Sequence, residues 1–328
     1  MLGIYVAEAT GPPSPASWAH NWRHAPRFVL DQELAGGPIR LAGLLLRDLE
    51  GTMRGTVRKI SLSRRVIVDL MRASADVPFV AVRRTLSIAP IAAARSGLRN
   101  RPAWAAIFAK AFAILASEQP ILRRVYLKWP WPHFYEFPQT VAMIVVAPDA
   151  TPDGVLLFPI KAPDQVSLAE ADARIRSAKT QPIEATPFFR KTMMVTRLPQ
   201  PLRRLAWAIG LNFGRQRGNY LGTLLVTSVA AFGGGEVEAR GPNSFIFSYD
   251  RLSSEDTIDV MIRWDHRITD AAVIGVELLR LEQILNNQIA DEMLALAATE
   301  QGEAAPDFTG RIGSGLGGGI SREVSHAP

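Results

Sequence analysis

Hydrophobic positions alternate along "DTIDVMIRWD", near the C-terminal end of the chain. The apolar residues of this segment are Ile258, Val260, Ile262 and Trp264. A period of two predicts a strand with one buried face, running up to Asp265. In "DAAVIGVELLRLEQILNN" the apolar positions follow a helical spacing, so a helix begins after Thr269 or Asp270, either of which can cap it. The residues "HRIT" therefore lie between a strand and a helix.

Helical patterns recur upstream. "SLSRRVIVDLMRAS" predicts a helix capped by Ser61 or Ser63, and "RPAWAAIFAKAFAILASEQP" predicts a buried helix between Pro102 and Pro120. "SLAEADARIRSAKT" predicts a third helix, capped by Ser167. A further short helix is expected at residues 39–51, and residues 181–219 show a less regular pattern.

Strand patterns lie between these helices. "FVAVRRTLSI" predicts a strand, and "TVAMIVVAPD" and "GVLLFPIKAPD" predict two paired strands joined by a turn. "YLGTLLVTSV" and "NSFIFSYDRL" predict two more strands, separated by a glycine-rich turn. Strands mixed with helices indicate the α/β class, with a mixed β-sheet and flanking helices.

Composition is typical of a packed soluble protein, with 48% hydrophobic and 21% charged residues among 328. The absence of cysteine excludes disulfides and a cysteine nucleophile. The first residues do not resemble a signal peptide, and no apolar run reaches the roughly 18 to 20 residues of a membrane span. We therefore expect a cytoplasmic protein without a transmembrane segment.

The net charge of +6 is compatible with an anionic ligand such as a phosphate-bearing cofactor. A solvated basic surface is the alternative. The arginines are scattered rather than massed, so we do not expect nucleic acid as a partner.

One of the five histidines, His266, lies at the junction of the predicted strand and helix. Rigid elements on both sides can hold such a side chain in a cleft. Asp270 follows four residues later. From the residues alone, His266 is either a catalytic histidine or a structural one at a strand end, because an HxxxD pair often arises by chance.

The segment "DHRITDAAVIGVELLRLEQILNN" resembles the active-site segment of the 2-oxoacid dehydrogenase acyltransferases, the E2 components. Their pattern is DHR, two residues, then Asp-Gly opening a helix. "SLSRRVIVDLMRASADVP", "TPDGVLLFPIKAPDQVSLAEADARIRSA" and "GTLLVTSVAAFGG" resemble other segments of that family in the same order. The resemblance implies the two-layer α/β sandwich of chloramphenicol acetyltransferase. It also implies a homotrimer, or a multiple of trimers, with active sites between subunits.

The resemblance also implies roles for particular residues. His266 matches the histidine that acts as general base. The serine that stabilises the oxyanion falls on Thr227, with Ser228 one place on, and either hydroxyl could donate the hydrogen bond. Asp270 matches an acid that pairs with an arginine and holds the histidine loop. Arg64 is the expected partner, with Arg65 the alternate.

One position departs from the family pattern. Ala271 stands where the family has glycine, which requires an ordinary helical φ at this position. A related class, the condensation-type and wax-ester enzymes, uses HHxxxDG, and Asp265 in place of the first histidine argues against that class.

The expected substrates are thioesters of coenzyme A, or a lipoyl group supplied in trans by a lipoyl or acyl carrier protein, without a metal. Residues 185–219 are rich in arginine and aromatic side chains. They are interpreted either as a lid over a hydrophobic acyl chain or as an amphipathic helix packed on the sheet. In the first interpretation CoA phosphates bind one or more of four arginines, namely Arg203, Arg204, Arg215 and Arg217.

The predicted organisation is an N-terminal arm (1–57), a catalytic domain (58–298) and a disordered Gly/Pro-rich tail (299–328). The arm shows neither a lipoyl domain nor a subunit-binding domain, which predicts a free-standing catalytic domain. An acyltransferase is therefore the main hypothesis. A catalytically inactive, trimeric E2-like scaffold or binding protein is the alternative.

Overall fold

A computed structural model describes residues 55–149, 154–235 and 237–303. The chain divides into two units, Met1–Arg58 and Lys59–Pro328, and every element described below belongs to the second. The predicted helix at 39–51 and most of the predicted tail lie outside the described residues.

A six-stranded mixed sheet forms the centre of this unit, and a separate two-stranded ribbon lies beside it. The strands are β1 (Phe79–Ser87), β2 (Arg124–Leu127), β3 (His133–Glu136), β4 (Val141–Val146), β5 (Leu156–Lys161), β6 (Leu224–Thr227), β7 (Phe245–Leu252) and β8 (Thr257–Asp265). The strand order of the sheet is β1-β8-β7-β6-β4-β5, and the ribbon is β2-β3. The β4–β6 and β6–β7 pairs are parallel, and the other pairs are antiparallel.

The helices are α1 (Leu62–Ala73), α2 (Ala89–Ser96), α3 (Trp104–Glu118), α4 (Leu168–Thr180), α5 (Pro187–Arg197), α6 (Gln200–Asn212), α7 (Gly214–Leu221), α8 (Ala271–Ile284) and α9 (Ala290–Glu303). A π-helical turn, Leu285–Ile289, joins α8 to α9. No helix in the described part of the chain is long and apolar enough to cross a bilayer.

The main hydrophobic core lies between one face of the sheet and a layer of helices. Side chains of α3 such as Phe108 and Phe112 meet Phe245 and Phe247 of β7 there. The alternating residues of β8, including Trp264, belong to the same core, as the sequence pattern predicts. The opposite face of the sheet carries a smaller cluster around Met143. The predicted α/β class with a mixed sheet and flanking helices is confirmed.

Two predicted helix caps are present. The Ser61 side chain accepts a hydrogen bond from the Arg64 backbone N–H at the start of α1. Ser167 accepts from the Glu170 N–H at the start of α4. Each cap satisfies a backbone donor that the first helical turn leaves unpaired.

Several expectations were wrong or incomplete. Most of residues 181–219, where a less regular pattern was expected, form the three helices α5 to α7. The glycine-rich stretch after β6 is not a hairpin turn, because β6 and β7 run parallel. Helix α2 and the ribbon β2–β3 were not predicted, and helix α9 extends to Glu303 although residues from 299 onward were expected to be disordered.

Candidate active site

The turn after β8 places His266 at the end of the strand. The His266 N–H donates a hydrogen bond to the Pro78 carbonyl at 3.0 Å, and the Ile268 N–H donates to the Asp265 carbonyl at 2.9 Å. These bonds extend the pairing with the start of β1 and close a tight turn. The His266 side chain remains 47% exposed, so a substrate can reach it.

The His266 ring has a defined orientation. Its Nδ1 lies 3.1 Å from the Thr269 carbonyl oxygen. That oxygen also accepts a hydrogen bond from the buried Trp264 Nε1–H at 2.8 Å, and the Trp264 ring meets the histidine edge-on. A carbonyl can only accept, so Nδ1 carries the proton in the neutral ring. Nε2 therefore holds the lone pair that a general base requires.

Asp270 lies beside the same ring nitrogen. Its carboxylate is 3.9 Å from His266 Nδ1, and its side chain is 84% exposed. Asp270 is the N-cap position of α8 but makes no side-chain capping bond. Ala271 starts the helix and is not among the described residues with positive φ, so its backbone conformation does not demand glycine.

Arg64 is not the partner of Asp270 within one chain. Among the described residues, the Asp270 carboxylate meets only His266. Arg64 lies at the start of α1, whereas Pro78, which holds the histidine loop, follows the far end of that helix. A helical rise of 1.5 Å per residue separates these two ends by roughly 15 Å. The alternate, Arg65, lies on the same first turn, so neither arginine pairs with Asp270 within one chain.

The loop is braced instead by a pair that sequence reasoning missed. Asp265 is 1% exposed, and both of its oxygens accept hydrogen bonds from the Arg267 guanidinium, at 2.8 Å and 2.6 Å. The Arg267 backbone N–H also donates to the Asp265 carboxylate, and its guanidinium lies over the Tyr126 ring at 4.1 Å. The sequence signal for this pair was an acidic and a basic residue, Asp265 and Arg267, directly before and after His266.

The two hydroxyl candidates differ in their hydrogen bonds. Ser228 donates to the Tyr249 carbonyl at 2.8 Å and accepts from the Ala230 N–H at 3.0 Å. Its proton is therefore occupied. Thr227, at the end of β6, is buried and its hydroxyl makes no hydrogen bond to a described residue. Thr227 is the hydroxyl that remains able to donate to an oxyanion.

Thr227 and His266 lie far apart in the sheet within one chain. Thr227 pairs with Ser248, which pairs with Met261, five residues before His266. Strand geometry then separates them by roughly 16 Å along β8 and roughly 10 Å across two strand spacings. A site that contains both side chains therefore needs two copies of the chain.

The four arginines proposed to bind phosphate fall into two groups. Arg203 pairs with Asp69 at 2.8 Å, and Arg217 is buried, with its guanidinium donating to the carbonyls of Tyr126, Leu211 and Pro242. Burial lowers the pKa of Arg217 to about 10, although the nearby Asp265 opposes this shift. Both side chains have structural partners. Arg204 and Arg215 are exposed and form no ion pair with a described residue, so they remain accessible to an anion.

A cavity of about 520 Å³ lies beneath α6. It is lined by side chains of α1, β5, α5, α6 and α7, most of them apolar. Helix α6 packs against α1, α5 and α7, and none of its residues is buried. Helix α6 covers the cavity, and its Trp207 packs against a cluster that contains Leu156 of β5.

Comparisons with known proteins give matches in structure only. No protein-family model matches the chain, and no curated protein matches it in sequence. Among the solved structures it is similar to the cubic core of the pyruvate dehydrogenase multienzyme complex. That match has 17% identity and a TM-score of 0.53, and covers 72% of this chain and 94% of that one.

Two further solved structures have a similar fold. Dihydrolipoamide acetyltransferase from Azotobacter vinelandii is 18% identical over 72% of this chain and 94% of that chain, with a TM-score of 0.51. A truncated catalytic core of the 2-oxoacid dehydrogenase complex from Thermoplasma acidophilum is 17% identical over 71% and 99%, with a TM-score of 0.52. The chain has the fold of these E2 catalytic cores. In the Azotobacter protein, a serine, a histidine and, four residues after it, an asparagine have been investigated for roles in the catalytic mechanism.

Proposed function

We propose that this chain is an acyltransferase that moves an acyl group from a thioester to a thiol or hydroxyl, with His266 as general base. The orientation of the His266 ring carries the proposal. Its Nδ1–H is bound to the Thr269 carbonyl, which leaves Nε2 as the basic nitrogen on a half-exposed ring. The E2 fold and the four-residue spacing to Asp270 match the histidine and asparagine investigated in the Azotobacter enzyme.

The reaction proceeds by proton transfer and nucleophilic attack. His266 Nε2 takes the proton of the acceptor thiol or hydroxyl, and the sulfur or oxygen attacks the thioester carbonyl carbon. The resulting tetrahedral species carries its negative charge on the former carbonyl oxygen. When the carbon–sulfur bond of the donor breaks, the departing thiolate takes the proton from His266. Such a positioned base accounts for roughly 10² to 10⁴ in rate.

Thr227 is the proposed oxyanion donor. Its hydroxyl has no partner among the described residues, whereas the proton of Ser228 is bound to Tyr249. Since Thr227 and His266 lie far apart in the sheet of one chain, the hydroxyl must come from a neighbouring subunit. A closed ring of copies, such as a homotrimer, provides this arrangement at each interface.

Acyl-CoA is the proposed donor, and a lipoyl or other carrier thiol is the proposed acceptor. The exposed Arg204 and Arg215 fit phosphate groups, because both guanidinium groups are without an ion-pair partner among the described residues. Arg203 and Arg217 do not fit this role, since carboxylate and carbonyl groups of the chain already occupy them.

The test is thiol release from a panel of acyl-CoAs in the presence of dithiols. We expect turnover in the wild type and a loss of about 10² to 10⁴ in kcat for His266→Ala, with little change in KM. His133→Ala is the matched control, because His133 also contacts a backbone carbonyl through Nδ1 but lies on the ribbon. A folded wild type that is inert with every donor would favour the inactive scaffold.

A further inference from the structure

The cavity beneath α6 has an apolar lining and an open mouth. Leu70, Leu156 and Phe189 form part of its apolar wall. Met194 and Tyr220 line the cavity and are also exposed, which places them at its mouth. A volume of about 520 Å³ is far larger than packing voids in protein interiors and lies in the range of small-molecule sites.

The cavity lies close to the proposed oxyanion donor. Leu157 lines it and pairs with Val145 of β4, while Ile144 pairs with Val226 of β6. Continuing this register places Thr227 in one row with Val145 and Leu157, roughly 10 Å from Leu157. Val226 faces the main core, so Thr227 faces the other side of the sheet, the side on which Leu157 packs.

The segment that covers this cavity carries a high positive charge. Residues 181–221 contain seven Lys or Arg and one Glu, a net charge of +6, which equals the net charge of all 328 residues. Two of the seven have partners in the fold, as described above. The remaining five are exposed and form no ion pair with a described residue: Arg190, Lys191, Arg197, Arg204 and Arg215. Lys191 also lines the cavity.

We propose that the cavity holds the apolar chain of the acyl donor and that the surrounding cations hold its phosphates, so that the donor is a medium- or long-chain acyl-CoA. This inference rests on the proposed function and specifies its substrate class. A two-carbon acyl group would leave most of the cavity without contacts. A longer chain fills it and brings the thioester toward Thr227.

Binding can be measured without turnover in the His266→Ala variant. We expect calorimetric titration to show tighter binding from acetyl- to octanoyl- to dodecanoyl-CoA, by about fourfold for each methylene buried. Gly210 lines the cavity, and an added Cβ there meets no atom within 4 Å. Gly210→Leu and Gly210→Phe should therefore fill the cavity and abolish the dependence on chain length, while acetyl-CoA binding stays unchanged. Gly210→Ala is the matched control and should keep the dependence.

Equal binding of acetyl- and dodecanoyl-CoA would overturn the inference, as would an unchanged dependence in folded Gly210→Phe. Binding to phosphatidylglycerol vesicles without binding of soluble dodecanoyl-CoA would overturn it in favour of a membrane surface. Chain-length-dependent binding in a wild type that shows no turnover would support the site and remove the acyltransferase proposal. Turnover without any dependence on chain length would support the acyltransferase proposal and overturn the acyl-chain site.

Discussion

The Thr269 carbonyl oxygen accepts a hydrogen bond from His266 Nδ1 and thereby decides which nitrogen of the ring is basic. The two residues are three positions apart in one turn, and the indole of Trp264 holds the same oxygen from the core. The orientation of the histidine is thus set by a buried residue of β8. This connects the hydrophobic packing of the strand to the proton transfer proposed at its end.

Replacing Thr227 tests the oxyanion assignment. Thr227→Val keeps the shape of the side chain and removes the hydroxyl, so kcat should fall about 10²- to 10³-fold with the fold intact. Thr227→Ser keeps the hydroxyl and should retain most of the rate. Steady-state kinetics give kcat for both variants. Equal kcat values for Thr227→Val and Thr227→Ser would exclude this role for Thr227.

Ser228→Ala should act on stability. The substitution leaves the Tyr249 carbonyl and the Ala230 N–H without their partner, at a cost of about 1 to 3 kcal/mol. Urea unfolding measures this loss. A folded Ser228→Ala protein with a kcat as low as that of Thr227→Val would assign the oxyanion to Ser228 instead.

Arg267→Ala should destabilise the histidine loop. It leaves the buried Asp265 carboxylate without its two-point partner, and breaking such a pair costs about 3 to 5 kcal/mol. Arg267→Lys keeps the charge but cannot bind both oxygens in the same way, so its loss should be smaller. A urea-derived loss below about 1 kcal/mol for Arg267→Ala, the value of an exposed pair, would contradict this brace.

Glu277 should make stability depend on pH. Burial raises the pKa of its carboxyl, nearby Glu118 raises it further, and one of its oxygens has no hydrogen-bond partner among the described residues. Because the folded state binds this proton more tightly than the unfolded state, stability is lost as pH rises above the ordinary glutamate range. Glu277→Gln should therefore raise the Tm at pH 8, with a gain that shrinks toward pH 4. A gain of the same size at both values would contradict this assignment.

Local patterns were sufficient to predict most of the fold. The period of two in β8 predicted its buried face and its end at Asp265, and the serine caps predicted where α1 and α4 begin. The position of His266 between strand and helix follows from the same periodicities. Parallel pairing of β6 and β7 could not be predicted in this way, because it depends on where a long connection returns.

The finer chemistry of the site depends on contacts that a sequence does not display. Thr227 and Ser228 are adjacent hydroxyl residues, and only the bond from Ser228 to Tyr249 distinguishes them. From the sequence, Arg203 and Arg217 were candidate ligands for phosphate. In the fold, Arg203 pairs with Asp69, and Arg217 donates to backbone carbonyls. The Arg64 assignment followed the family pattern, whereas the brace here is local, between Asp265 and Arg267.

The central claim is an acyl-transfer site that takes His266 from one subunit and Thr227 from another. Co-expression of His266→Ala and Thr227→Val chains with different tags, followed by thiol-release assays on the mixed oligomer, tests it most directly. Each variant alone should be nearly inactive, while random mixing in a trimer restores about one quarter of the sites. Recovery to about that level is the result we predict. A mixed oligomer that remains as inactive as its parents, or a His266→Ala protein with wild-type activity, would contradict the account.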